Sequence, residues 1–184
     1  MNRLQGSLCY LVGSIDDSND LGVGWRREII PLLKELGVIS IDPTNKPSPD
    51  DYLKEDSTAH KQCDIFRENE QWESLHNYGN PIRGYDLRCT DKADFIIVCL
   101  DYDCVLTGTL EELFISNHNQ KPVLIFCVQG KKKIPNWIYW AIKPKYIFNN
   151  VNEIIEYLED VDEGLEDSDK RWKFFDWNKI TEQN

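Results

Sequence analysis

Ala93-Asp94-Phe95-Ile96-Ile97-Val98-Cys99-Leu100 is apolar at every position but Asp94. A half-exposed strand alternates apolar and polar residues. A run that is apolar in both registers belongs to a strand covered on both faces, as in a parallel sheet. Working outward, Arg83–Lys92 before it and Gly108–Asn119 after it read as helices. Pro122–Val128 (PVLIFCV) repeats the buried-strand pattern, Tyr146–Phe148 is a short strand, and Val151–Glu159 is a helix. Upstream, Ser7–Gly13 (SLCYLVG) reads as a strand ending in glycine, and Val38–Ile41 as another closed by Asp42-Pro43. Between them, Gly24–Leu36 puts Trp25, Ile29, Leu32, Leu33 and Leu36 along one helical side, with Gly37 as a stop. Pro31 is expected to kink this helix or confine it to its later turns.

Strands alternating with helices predict an α/β fold: a flavodoxin-like, doubly wound, five-stranded parallel sheet of order 2-1-3-4-5. The 184 residues fit one domain spanning 1–184. Ligands in such folds bind beyond the carboxyl ends of the strands, at the switch point between strands 1 and 3. The expected site therefore gathers the loops after Val12, Ile41 and Leu100 and the start of the helix carrying Glu112. Residues 47–80 break the pattern. They are polar, open with Pro47-Ser48-Pro49, include a helix-competent stretch at His60–Leu75, and read as an insertion placed to act as a lid. The tail 160–184 is acidic, then aromatic (Trp172, Phe174, Phe175, Trp177), and is expected to pack on the body or on a neighbouring subunit.

Composition excludes several classes. A net charge of −11 disfavours a nucleic-acid backbone as partner, since no excess of Lys and Arg is available to displace its counterions. Cysteines 9, 63, 89, 99, 104 and 127 form no C-x-x-C pair and read as reduced thiols. Histidines 60, 76 and 118 lack metal-ligand spacing, so neither metal nor cofactor is expected. No secretory leader is recognised and no apolar run nears the ~20 residues that span a bilayer. A soluble cytoplasmic protein with no membrane partner is expected. G-x-G-x-x-G and G-x-x-x-x-G-K-[ST] are both absent, and Gly130-Lys131-Lys132-Lys133 reads as a solvated loop.

What remains is a set of carboxylates at the strand ends. Asp86 opens the helix leading into the third strand, Asp94 begins that strand, Asp101 and Asp103 end it, and Glu111 and Glu112 sit in the first turn of the next helix. Free N–H groups and the helix dipole favour the charged form of a carboxylate there. A charged carboxylate is what a nucleophile at an anomeric carbon requires, and a second carboxyl assists the leaving group. An acidic first turn is equally ordinary capping chemistry. On a helical wheel Leu110, Leu113 and Phe114 mark the buried side, and both glutamates fall off it.

Three segments carry a resemblance. Tyr10-Leu11-Val12-Gly13-Ser14-Ile15, Asp86-Leu87 with Asp94 eight residues on, and Gly108-Thr109-Leu110-Glu111-Glu112-Leu113-Phe114-Ile115-Ser116 together resemble the nucleoside 2-deoxyribosyltransferase family, including the related 2′-deoxynucleoside 5′-monophosphate N-glycosidases. The resemblance covers roughly 7–16, 24–46 and 83–158. Trp25-Arg26 through Asp42-Pro43-Thr44-Asn45-Lys46-Pro47 is similar to bacterial and phage members. In an ungapped frame Glu112 falls on the family's nucleophile and Asp86, 26 residues earlier, on its base-side aspartate. The resemblance implies that Glu112 attacks C1′ to form a glycosyl ester, and that Asp86 binds the base and shuttles its proton. It implies nucleosides or nucleotides and free bases as small-molecule partners. It also implies a homo-oligomer with a shared site, in which Asn136 from a neighbouring subunit reaches the sugar's 5′ end. Tyr10, Gly13, Ser14, Trp25, Asp42, Asp94, Asp101, Gly108, Thr109 and Asn136 are the substrate-binding candidates. Asp94 reads also as a strand-start cap, and Trp137 and Trp140 as core or interface aromatics.

Departures bear on the substrate. Leu106 stands where the family usually carries an aspartate at the sugar's 5′-hydroxyl, Phe114 where it carries glycine, and Leu11 where a tyrosine commonly stands, with Tyr10 adjacent. Losing that carboxylate removes an acceptor for a 5′-hydroxyl and a repulsive neighbour for a 5′-phosphate. The monophosphate N-glycosidases also lack it and carry Gly-Ser-Ile, as Gly13-Ser14-Ile15 does. Ser14, Thr107 and Thr109 are then phosphate candidates, although Asp16 stands where a basic residue is expected, and Asp101 or Asp103 are candidate replacements for the aspartate. Nucleoside and nucleotide both stay open. So do two rivals: an inactive nucleotide-binding protein of the same fold, and an NAD or ADP-ribose glycohydrolase.

Overall fold

The computed structural model describes residues 2–15, 20, 22–50, 53, 57–166 and 170–174. Strands β1 (Leu8–Gly13), β2 (Ile39–Ile41), β3 (Phe95–Leu100), β4 (Val123–Cys127) and β5 (Ile147–Phe148) form a parallel sheet of order β2-β1-β3-β4-β5. Every residue of β3 and β4 is buried, as their unbroken apolar runs require. The helices are α1 (Val23–Glu35), α2 (Ser57–Glu68), α3 (Trp72–Lys92), α4 (Thr107–His118), α5 (Asn136–Ala141) and α6 (Val151–Glu163). They cover both faces, α1 packing with α6 and α3 with α4. The sheet is the expected flavodoxin-like one. Chain leaving β1 turns into α1 and chain leaving β3 turns into α4, so a crevice opens at their carboxyl ends.

Three expectations about helices are corrected. Helix α1 begins at Val23 and runs through Pro31 rather than starting after it, and α3 runs through Pro81 from Trp72 rather than beginning at Arg83. A proline removes one backbone hydrogen bond, and packing of the flanking turns outweighs that loss. The stretch His60–Leu75 is not one helix. Helix α2 ends at Glu68, where Glu70 takes a left-handed φ of 54° and Gln71 N–H closes the turn on the Phe66 carbonyl at 2.8 Å. Phe66 and Tyr78 meet edge to face across the resulting helical hairpin. The tail's described part, residues 170–174, packs on the body. Trp172 Nε1 donates to Tyr157 Oη at 3.0 Å and its ring lies 5.1 Å from that of Phe95. Phe175, Trp177 and Asp16 lie outside the described residues.

Arg26 is fully buried among the apolar residues of α1. Its guanidinium ties off the end of β1. Nε and Nη2 donate to the Leu11 carbonyl at 3.2 and 3.1 Å, Nη2 to that of Gly13 at 3.0 Å, and Nη1 to that of Gly22 at 2.7 Å. Asp42, at the end of β2, lies 3.7 Å from Nε. Burial lowers the pKa of Arg26, and Asp42 acts in the opposite sense. Replacement by methionine keeps much of the volume but strands the carbonyls and Asp42. Arg26→Met is expected to cost about 3–5 kcal/mol in urea denaturation, the range for breaking a buried pair; a cost under about 1 kcal/mol would refute this role.

Candidate active site

Side chains of β1 alternate between the two faces, so Tyr10 points toward α3 and α4. Its hydroxyl lies 3.1 Å from Asp86 Oδ1 and 3.1 Å from Glu112 Oε1. One phenol thus joins a carboxylate from α3 to one from α4, and its single proton is divided between them. Burial, then Glu112, then Asp86, push the Tyr10 pKa well above its ordinary value of 10, so it stays a donor. On the far side of Asp86, Lys46 Nζ donates to Oδ2 at 2.8 Å. Lys46 follows a short 3-10 turn, Pro43–Asn45, which Asp42 caps by accepting from Thr44 N–H at 2.9 Å and Thr44 Oγ1 at 2.8 Å.

Asp86 and Glu112 border two connected spaces. The inner pocket, about 110 Å³, is lined by Tyr10, Gly13, Ser14, Ile15, Pro43, Val105, Gly108 and Thr109 as well. The outer cleft, about 1040 Å³, runs between α4, α3 and α2, whose Ala59, His60, Cys63 and Arg67 form a wall. Ser14 Oγ donates to the Val105 carbonyl at 3.0 Å and joins the end of β1 to the loop before α4. At Gly13 a Cβ would stand 3.2 Å from Cys99 Cβ and 3.3 Å from Trp25, so a side chain there requires its neighbours to give by a few tenths of an ångström. Arg83 pairs with Glu111 at the rim, which takes Glu111 out of the inner pocket's chemistry.

The structure gathers Tyr10, Gly13, Ser14, Asp86, Gly108, Thr109 and Glu112 around one space. It sets six other candidates apart. Asp94 accepts from Leu8 N–H at 2.8 Å, at the amino end of the sheet, so it caps a strand opposite the site. Asp101 and Asp103 both accept from Gln129 Nε2, at 2.5 and 3.0 Å, and neither is among the described residues lining the pocket or the cleft. Asp42 shapes its turn and faces Arg26. Trp25 packs its edge on Phe126 and its face under Arg26, beside the pocket rather than in its lining. Asn136 is exposed at the start of α5, away from both spaces in the same chain. Trp137 and Trp140, on the same helix, are 67% and 74% exposed, which places them outside this chain's core.

Glu112 reaches the pocket because the buried side of α4 is Thr109, Leu113 and Ser116. Glu112 stands three residues after Thr109 and four before Ser116, on the side those small polar residues share. Reading apolar residues alone misplaced it. Lys46 was missed altogether, having no periodic pattern to reveal it. Among the described residues no group of three or more His, Cys, Asp or Glu is placed to hold a metal ion, and no helix is long and apolar enough to cross a membrane.

No protein-family model matches the chain, and no curated protein matches it. Solved structures do. A 2-deoxyribosyltransferase of the psychrotolerant bacterium Bacillus psychrosaccharolyticus matches with a TM-score of 0.57 and 18% identity, over 82% of this chain and 92% of that one. That protein is described as a biocatalyst for nucleoside synthesis. At this identity the likeness is one of fold, and the fold implied by the sequence resemblance is the fold found.

Titration offers a check on the cluster. The Cys89 thiol, one turn beyond Asp86, is pushed up to about 11 by burial and then by Asp86, and Tyr10 is raised as described. Both groups are neutral when protonated. The unfolded chain releases these protons at lower pH than the folded chain. Their contribution is therefore complete below about pH 9 and is lost as pH rises. Urea midpoints are expected to fall from pH 9 upward, and less steeply in Tyr10→Phe and Cys89→Ala. Identical slopes in wild type and both variants would refute the assignment.

Proposed function

We propose that this protein cleaves or exchanges the N-glycosidic bond of nucleosides or their 5′-monophosphates through a glycosyl–Glu112 ester. The observation that carries the reading is the Tyr10 hydroxyl at 3.1 Å from both Asp86 and Glu112, at the mouth of the switch-point crevice. Glu112 attacks C1′ while the bond to the base breaks, and the bonding electrons pass to the base nitrogen. Asp86 holds the base together with the proton the base must carry to leave neutral. Water or a second base then attacks C1′ and frees Glu112 as a carboxylate. Tyr10 orients the nucleophile by donating to it.

The 5′ group falls toward the inner pocket. Among its described lining residues the acids are Asp86 and Glu112, while Ser14, Gly108 and Thr109 offer a hydroxyl and the first N–H groups of α4. The N–H groups favour a phosphate there and the two carboxylates oppose it, so nucleoside and monophosphate are both substrates of this reading. A turnover-deficient binding protein is the second reading. Leu106 in place of a carboxylate favours it, since neither Asp101 nor Asp103 is among the described lining of the pocket or the cleft.

Chromatography of a panel of deoxynucleosides, ribonucleosides, their monophosphates and NAD, with and without free base, separates these. New base or new nucleoside is expected with wild type. Glu112→Ala is expected to lower the rate by about 10³-fold or more with its melting temperature nearly unchanged. Full activity in that variant would exclude Glu112 as nucleophile. A thermal shift without turnover would support the binding protein, and nicotinamide release the NAD reading.

A further inference from the structure

Behind the carboxylate that faces the cleft lies a cation the substrate does not meet. The Lys46 side chain is 1% exposed and that of Asp86 13%. Among the described lining residues, Asp86 belongs to both the cleft and the inner pocket, and Lys46 to neither. Lys46 is held there by the turn that Asp42 caps, so its position is set by backbone and not by ligand.

We propose that Lys46 is a positioning residue that keeps Asp86 ionised from behind, and that the site in consequence selects bases presenting N–H groups to a carboxylate. The proposal rests on the reading of Asp86 as the base-side group. Among the described residues, Asp86 is faced by Tyr10 from β1, by Lys46 from the turn after β2, by Glu112 from α4 through the shared phenol, and by Cys89 along α3. Of these Lys46 is the cation. Arg83, one turn back on α3, is engaged by Glu111. An ammonium in contact with a carboxylate shielded from water favours the charged form.

An ionised carboxylate accepts hydrogen bonds and donates none. Adenine and cytosine carry an amino group beside a ring nitrogen. Once that nitrogen takes a proton from solvent, the edge offers two parallel N–H groups to the two oxygens of Asp86, the geometry of a guanidinium fork. Hypoxanthine and uracil put a carbonyl oxygen in the amino position, where its lone pairs oppose the carboxylate. The protonated base is also the better leaving group. When the C1′–N bond breaks, the electron pair returns to a base already carrying its proton. Neutral base departs, the Glu112 charge is consumed in the ester, and Asp86 remains a carboxylate throughout.

The test has two arms. In ¹³C-carboxyl NMR, with the Asp86 signal assigned by its loss in Asp86→Asn, wild-type Asp86 is expected to stay ionised well below the ordinary aspartate range near 3.9. Lys46→Gln is expected to move its midpoint up by about 1–3 pH units, and Lys46→Arg to keep it low. In turnover, kcat/KM for deoxyadenosine over deoxyinosine, and for deoxycytidine over deoxyuridine, is expected to favour the amino base by about tenfold or more. That preference should collapse toward unity in Lys46→Gln and persist in Lys46→Arg. Wild-type Asp86 titrating at or above the ordinary range overturns the proposal even if the glutamine variant does not fold. An unchanged base preference in a folded Lys46→Gln also overturns it. If no nucleoside reacts, the proposed function fails by itself. Calorimetry with free adenine and hypoxanthine then decides the Lys46 claim, and equal affinity for the two overturns it.

Discussion

The buried guanidinium of Arg26 is the constraint from which the site follows. A charge taken out of water is costly unless hydrogen-bonded and paired. Here the carbonyls of Leu11, Gly13 and Gly22 converge on it, and Asp42 supplies the counter-charge. These carbonyls lie where β1 leaves the sheet and α1 begins, where ladder and helix partners give out. One side chain thereby fixes the end of a strand, the start of a helix and the exit of β2. Tyr10 sits three residues before Gly13 on that fixed strand, and Lys46 four residues after Asp42. Tyr10 and Lys46, which both touch Asp86, are thus positioned by the same buried cation.

The sheet was legible because burial on both faces writes itself along one dimension. The apolar runs at 93–100 and 122–128 contain β3 and β4. The helices were less legible wherever a local rule was overridden. Pro31 is expected to kink its helix or confine it to its later turns, and the helix before β3 to begin at Arg83, yet α1 and α3 each run through a proline. The break between α2 and α3 falls at Asn69–Gln71, where Glu70 and no glycine adopts the left-handed turn. Asp86 and Asp94 illustrate a different limit. Their spacing was visible, but α3 carries the chain from one end of the sheet to the other in between. One carboxylate lies at the crevice and the other beneath the amino edge.

Glu112 and Lys46 mark two reasons why a site escapes a sequence. The side of α4 that faces the sheet is built from Thr109 and Ser116 beside Leu113, so hydrophobic periodicity reports the wrong orientation. Lys46 lies in an irregular segment, and an ion pair bridging 40 residues leaves no local trace. Its effect is nonetheless central to the electrostatics. Two acids share a phenol at the mouth of the crevice, and the ammonium paired with one of them lies on the side away from the opening.

Helix α3 has a mechanical meaning as well. Its 21 residues form one uninterrupted rod, about 30 Å long at the usual helical rise. The first turns carry the hairpin partner of α2, whose side chains form a wall of the cleft, and the later turns carry Asp86. The α2 wall of the cleft and the carboxylate of Asp86 are therefore carried by one helix and its hairpin partner, so the width of the outer cleft and the placing of Asp86 share a single frame.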